Sequence, residues 1–114
     1  MNNLAERKER YLRDSVSVRL GGLAANLARV KSFSKNPANQ EAVFDLFEES
    51  KHFIEWTAIE TVIETTEKLV ELQLQIAVWQ RQWQKLWNDE ESRNLVAVTS
   101  SNWSKTVLEK SGLI

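Results

Sequence analysis

The stretch IAVWQRQWQKLW, residues 76–87, carries three tryptophans, Trp79, Trp83 and Trp87, at four-residue spacing. In a helix that advances about 100° per residue, such a spacing gathers the three indoles on one broad face. Each indole can bury about 150–250 Å², so together they present more apolar surface than a typical monomer leaves open. They must be covered. Another helix, from the same chain or from a second subunit, is the expected cover. A groove for a foreign helix and a membrane-surface face, with Arg81 and Lys85 at the headgroups, are the alternatives. The acidic segment upstream argues against the membrane.

The same face can be followed backwards. Val43, Phe44, Phe47, Ile54, Ala58, Val62, Leu69, Leu72, Ile76, Trp79, Trp83 and Leu86 share it. From Val62 onward the spacing settles to 7, 3, 4, 3, 4, 3, a coiled-coil-like seam. A second apolar stripe, Trp56, Ile59, Ile63, Val70, Leu74 and Ala77, lies about 150° away. Thr66, Gln73 and Gln80 run between the stripes, and Glu60, Glu64, Glu67, Glu71 and Lys85 form a charged side. A helix with two apolar stripes usually touches two neighbours. The threonines of ETVIETTEK favour strand mildly, but strict alternation is absent and the helical seam crosses them in phase.

Composition agrees with helix. The 114 residues include three glycines and one proline, where average usage gives about 8 and about 6. Few turns are available. The expected elements are a helix over about 3–34, a helix over about 37–89 with EESKH (48–52) as its candidate break, and a short helix over about 102–111. In the first, Leu12, Val16, Leu20, Leu23, Leu27 and Val30 form the seam. Gly21 and Gly22 sit inside it, where the helix is expected to bend or another backbone to come close. Asn36 and Pro37 give the best start signal, an N-cap followed by proline at the first helical position. Gly112 reads as the C-terminal stop of the last helix.

An unbroken helix over 37–89 would be about 80 Å long, too long for a compact monomer of this size. The expected fold is therefore all-α: a long central helix, an antiparallel N-terminal helix packed on it and a short C-terminal helix. This makes an elongated bundle completed by homodimerisation. Leu69, Leu72, Ile76, Trp79, Trp83, Leu86 and Trp87, with Trp56, Ile63 and Val70 of the second stripe, are the expected interface. The chain is expected to act in the cytoplasm as a non-catalytic interaction or scaffold module, with no cofactor. It has no cysteine, which excludes disulfides and thiol chemistry. No apolar run approaches a membrane span.

Three charged constellations test other functions. Residues 1–35 hold eight basic residues against Glu6, Glu9 and Asp14, while residues 41–71 hold nine acidic residues against Lys51 and Lys68. Opposite fields favour laying one segment along the other, with each exposed pair contributing about 0–1 kcal/mol. Arg7, Lys8, Arg10 and Arg13 are the candidate phosphate contacts of a nucleic-acid-associated regulator. Glu49 and His52 form an E-x-x-H, the spacing used by metal-binding helical bundles. This is the chain's one histidine, so a metal-dependent enzyme would need the site completed by a second subunit. Glu64 and Glu67, with Glu60 and Glu71, make an acidic ridge that could hold magnesium, but the downstream E-x-x-D of helical nucleotide hydrolases is missing.

Overall fold

The computed structural model describes residues 3–113, and among these every regular element is helical. Six α-helices follow one another: α1 (Asn3–Leu12), α2 (Val16–Phe33), α3 (Gln40–Thr57), α4 (Ile63–Arg81), α5 (Trp83–Trp87) and α6 (Glu90–Ser111).

The first expected helix is divided, but not at its glycines. It breaks at Arg13–Ser15, where the Ser15 side chain accepts from Val18 N–H at 3.2 Å and caps α2. Arg19 then reaches back and donates to the carbonyls of Leu12 and Asp14. A serine cap and an arginine on freed carbonyls supply partners that a helix end otherwise lacks. Helix α2 runs through Gly21 and Gly22. At Gly21 a side chain comes close, since a Cβ there would lie 2.8 Å from Leu113 Cδ1, while Gly22 faces open space.

The Asn36–Pro37 signal holds. Asn36 accepts from Ala38 N–H at 3.0 Å and caps a single 3-10 turn, Pro37–Asn39, that leads into α3. The expected long helix is cut twice, and neither cut is at 48–52. Helix α3 passes through EESKH, where Ser50 is fully buried and donates to the Leu46 carbonyl. The first cut follows Thr57: a 3-10 turn (Ala58–Glu60), then two extended residues, Thr61 and Val62. Threonine hydroxyls make it. Thr61 Oγ1 and Thr66 Oγ1 both donate to the Ala58 carbonyl, at 2.7 and 3.0 Å, offering the backbone partners outside the helical ladder. The second cut is Gln82, whose ψ of 30° ends α4 and swings α5 away.

The last helix is longer than expected. Asp89 caps it by accepting from Ser92 N–H, residues 94–98 are helical, and Gly112 ends it in the left-handed region at φ 75°. That is the conformation only glycine adopts without strain.

Packing follows from these cuts. Helix α2 lies between α3 and α6. It runs antiparallel to α3, since Asn26 meets Ser50 while Arg19 meets Glu60. Its other side meets α6, where Ser104 donates to the Ala24 carbonyl at 2.7 Å. Helix α4 folds back along α3, with Trp79 against Phe47 and Gln80 bonded to Glu48. Leu23, Leu27, Val30, Val43, Phe47, Ile54, Leu72 and Ile76 form the buried centre. The result measures 37 × 35 × 21 Å with a radius of gyration of 13.9 Å, near the ~13 Å of a compact domain this size. The elongated shape expected from one long helix does not occur, because two breaks fold the seam onto its own chain.

Candidate interaction surface

The tryptophan seam is covered from within. Leu69, Leu72, Ile76, Trp79 and Trp87 are buried, and Trp83 and Leu86 pack half-buried against them. Trp83 meets Phe44 and Phe47 edge-on at 5.8 Å and tilts over Trp87 at 5.3 Å. Trp87 Nε1 donates to the Pro37 carbonyl at 2.8 Å, tying α5 to the α2–α3 connection, and the Arg93 guanidinium lies 5.8 Å over its ring. Within the chain these residues pack as core, with Trp83 and Leu86 left partly exposed.

The second stripe behaves differently. Trp56 is half-covered by Tyr11 and Phe53. Beyond it the stripe faces outward: Ile59 is 89% exposed, Ile63 65%, Val70 45% and Leu74 63%. Ala77 and Val78 continue the same side of α4. This face lies opposite the Leu69–Leu72–Ile76–Trp79 face, by helical geometry. Helix α4 is thus apolar on two sides, and among the described residues only one side is covered. Glu64 and Glu67 flank the exposed stripe near its N-terminal end, Glu71 lies beside its middle, and Arg81 closes its C-terminal end. Lys68 pairs with Glu71 at 3.5 Å. Two further apolar side chains, Leu95 and Val98, are exposed on α6.

The E-x-x-H residues share an open groove of about 510 Å³ with Arg7, Phe33 and Asp45. The Glu49 carboxylate is engaged elsewhere. Glu49 accepts from Arg7 and from Asn26, and Asn26 in turn accepts from Arg29. The His52 ring stacks on Trp56 at 5.4 Å, with Nδ1 3.8 Å from Glu55. Among the described residues, no three carboxylates or histidines come together as a metal would require. The basic cluster of α1 and the turn after it is likewise divided: Arg7 holds Glu49, Arg13 pairs with Glu9 at 3.1 Å, and Lys8 and Arg10 stay exposed.

The opposed charge of the two segments is used within the chain, through Arg7–Glu49 and Arg19–Glu60. Three residues that hold these contacts gave little signal in the sequence. Asn26 and Arg19 are buried polar groups on the seam side of α2. Tyr11 stacks on Phe53 at 4.1 Å, donates to the Arg19 carbonyl and accepts from Thr57. Burial pushes its phenol up to about 12, against the lowering effect of the Thr57 hydrogen bond. Among the described residues, no helix is long and apolar enough to cross a membrane. Comparison with protein-family models, curated proteins and solved structures finds no significant match.

Proposed function

We propose that this chain is a non-catalytic interaction module that binds protein through the outward face of α4. The single observation that carries this reading is the stripe Ile63, Val70 and Leu74 on α4. These large apolar side chains are aligned on one helix side and left in solvent while the opposite side of the same helix is core. Scattered apolar residues on a surface are ordinary, but an aligned row rimmed by charge marks a place where another molecule sits. The reading of Glu49 and His52 as a metal-dependent enzyme has less support, because Glu49 is committed to Arg7 and Asn26. The nucleic-acid reading has less support for the same kind of reason, since Arg7 and Arg13 pair with carboxylates.

The test is the double variant Val70→Glu/Leu74→Glu. Both positions are exposed, so helicity and melting temperature should stay close to those of the parent. Self-association and co-purification of other proteins from cells should fall together or singly. If every association the parent makes survives in the folded variant, the reading is wrong.

A further inference from the structure

We infer that the occupant of the α4 face is a second copy of this chain, lying antiparallel across a two-fold axis at the level of Leu72. The inference rests on the interaction reading above and names its partner. The charge and apolar register of the face itself select this occupant. About an axis at that level, Val70 of one copy lies beside the partner's Leu74, and Glu67 lies level with the partner's Ala77. The partner's Arg81 comes level with Ile63, one residue from the level of Glu64 and about one turn from that of Glu67. Apolar groups thus meet at the centre, and opposite charges meet at both ends. Glu64, Glu67 and Arg81 have no ion-pair partner within the chain among the described residues, so each is free to take one across the contact.

The alternative register is worse. A parallel pairing would set Arg81 beside the partner's Arg81 and hold Glu64 and Glu67 more than three turns away from it. The one like-charge approach in the antiparallel form is Glu71 near the partner's Glu71 at the axis. Each of these carries its own Lys68 at 3.5 Å. A two-fold contact of this kind is self-complementary by symmetry. A face limited to one 19-residue helix is small beside the roughly 1,200–2,000 Å² that stable complexes bury. The dimer should therefore be reversible and depend on concentration.

The chain contains no cysteine, so single engineered cysteines report the geometry cleanly. Light scattering on a dilution series from millimolar protein downward should give a mass that falls from dimer to monomer. Arg81→Glu should weaken the dimer about three- to tenfold, as expected for exposed pairs counted twice. Adding Glu64→Lys and Glu67→Lys to that variant should restore it. Protein carrying Ile63→Cys mixed with protein carrying Arg81→Cys should cross-link under mild oxidation, while Ile63→Cys alone should not. A monomer at every concentration overturns the second copy as occupant and leaves the face open to a foreign protein. A dimer that cross-links through Ile63→Cys alone overturns the antiparallel register. A dimer indifferent to Val70→Glu/Leu74→Glu overturns self-association through this face. If that variant also keeps every other association of the parent, the interaction reading beneath it fails as well.

Discussion

Arg19 and Glu60, 41 positions apart, meet at 2.6 Å where α1, α2 and the turn before α4 converge. The two ends of the pair differ in burial. The Arg19 side chain is 8% exposed and that of Glu60 is 47% exposed. Arg19 also donates to the carbonyls of Leu12 and Asp14, so its guanidinium serves both the end of α1 and the α3–α4 turn. Replacing it with methionine removes three partners at once and leaves freed carbonyls at the α1 terminus. The expected loss is about 2–4 kcal/mol. Glu60→Gln keeps a hydrogen-bond acceptor at a half-exposed position and should cost about 1 kcal/mol or less. Denaturant unfolding of both variants checks the order. Equal losses would show that the ion pair, and not the carbonyl caps, carries the effect.

Tyr11 makes α1 docking sensitive to alkaline pH. Burial raises its phenol to about 12 from the ordinary 10.0. Between those values the folded chain keeps a proton that the unfolded chain releases, so unfolding gains with rising pH. The contribution is fully present below pH 10 and is lost as pH rises through 12. Because the chain has one tyrosine, its phenolate absorbance titrates this residue alone. The midpoint should lie well above that of free tyrosine and return to the ordinary value on unfolding. Tyr11→Phe should flatten this part of the pH dependence of stability, with the stacking on Phe53 retained.

Much of the fold was legible where apolar period and local caps agreed. The seam residues Leu20, Leu23, Leu27 and Val30 are buried, as are Leu69, Leu72, Ile76 and Trp79. Asn36–Pro37 and Gly112 end and start elements where the sequence places them. The breaks were not legible because none of them uses glycine or proline. Ser15, the Thr57–Thr66 hydroxyls and Gln82 are polar residues that many helices tolerate. They break this one because tertiary contacts reward the change of direction. Breaking at Gln82 lets Trp87 reach the Pro37 carbonyl, 50 positions away. The exposed stripe was visible as a second apolar face. Which face would become core depended on those breaks.

The two tryptophans of α5 should respond differently to the same substitution. Trp87 is buried and its Nε1 donates to the Pro37 carbonyl, whereas Trp83 Nε1 is buried with no hydrogen-bond partner among the described residues. Trp87→Phe removes ring volume and also leaves a carbonyl unpaired, an expected loss of about 2–4 kcal/mol. Trp83→Phe removes ring volume but also takes away an unsatisfied buried donor, whose desolvation costs about 1–3 kcal/mol. Its net effect should be near neutral, within about 1 kcal/mol. Thermal melts of the two variants decide it. A larger loss for Trp83→Phe would mean that its indole N–H has found an acceptor.

The glycine pair of α2 offers the converse case, a position where the chain carries less stability than its fold permits. Both glycines lie in a continuous helix, and alanine is favoured over glycine there by about 1 kcal/mol. A Cβ at Gly22 meets nothing within 4 Å, while one at Gly21 lies 2.8 Å from Leu113 Cδ1. Gly22→Ala should therefore raise stability by about 0.5–1 kcal/mol. Gly21→Ala must push the end of a leucine side chain aside just beyond the Gly112 cap, so part of the same gain is offset. The expected order of melting temperature is Gly22→Ala first, then Gly21→Ala, then the parent. If Gly22→Ala melted below the parent, the helix would have to bend at this pair after all, and the open space beside Gly22 would not be enough to make alanine the better residue there.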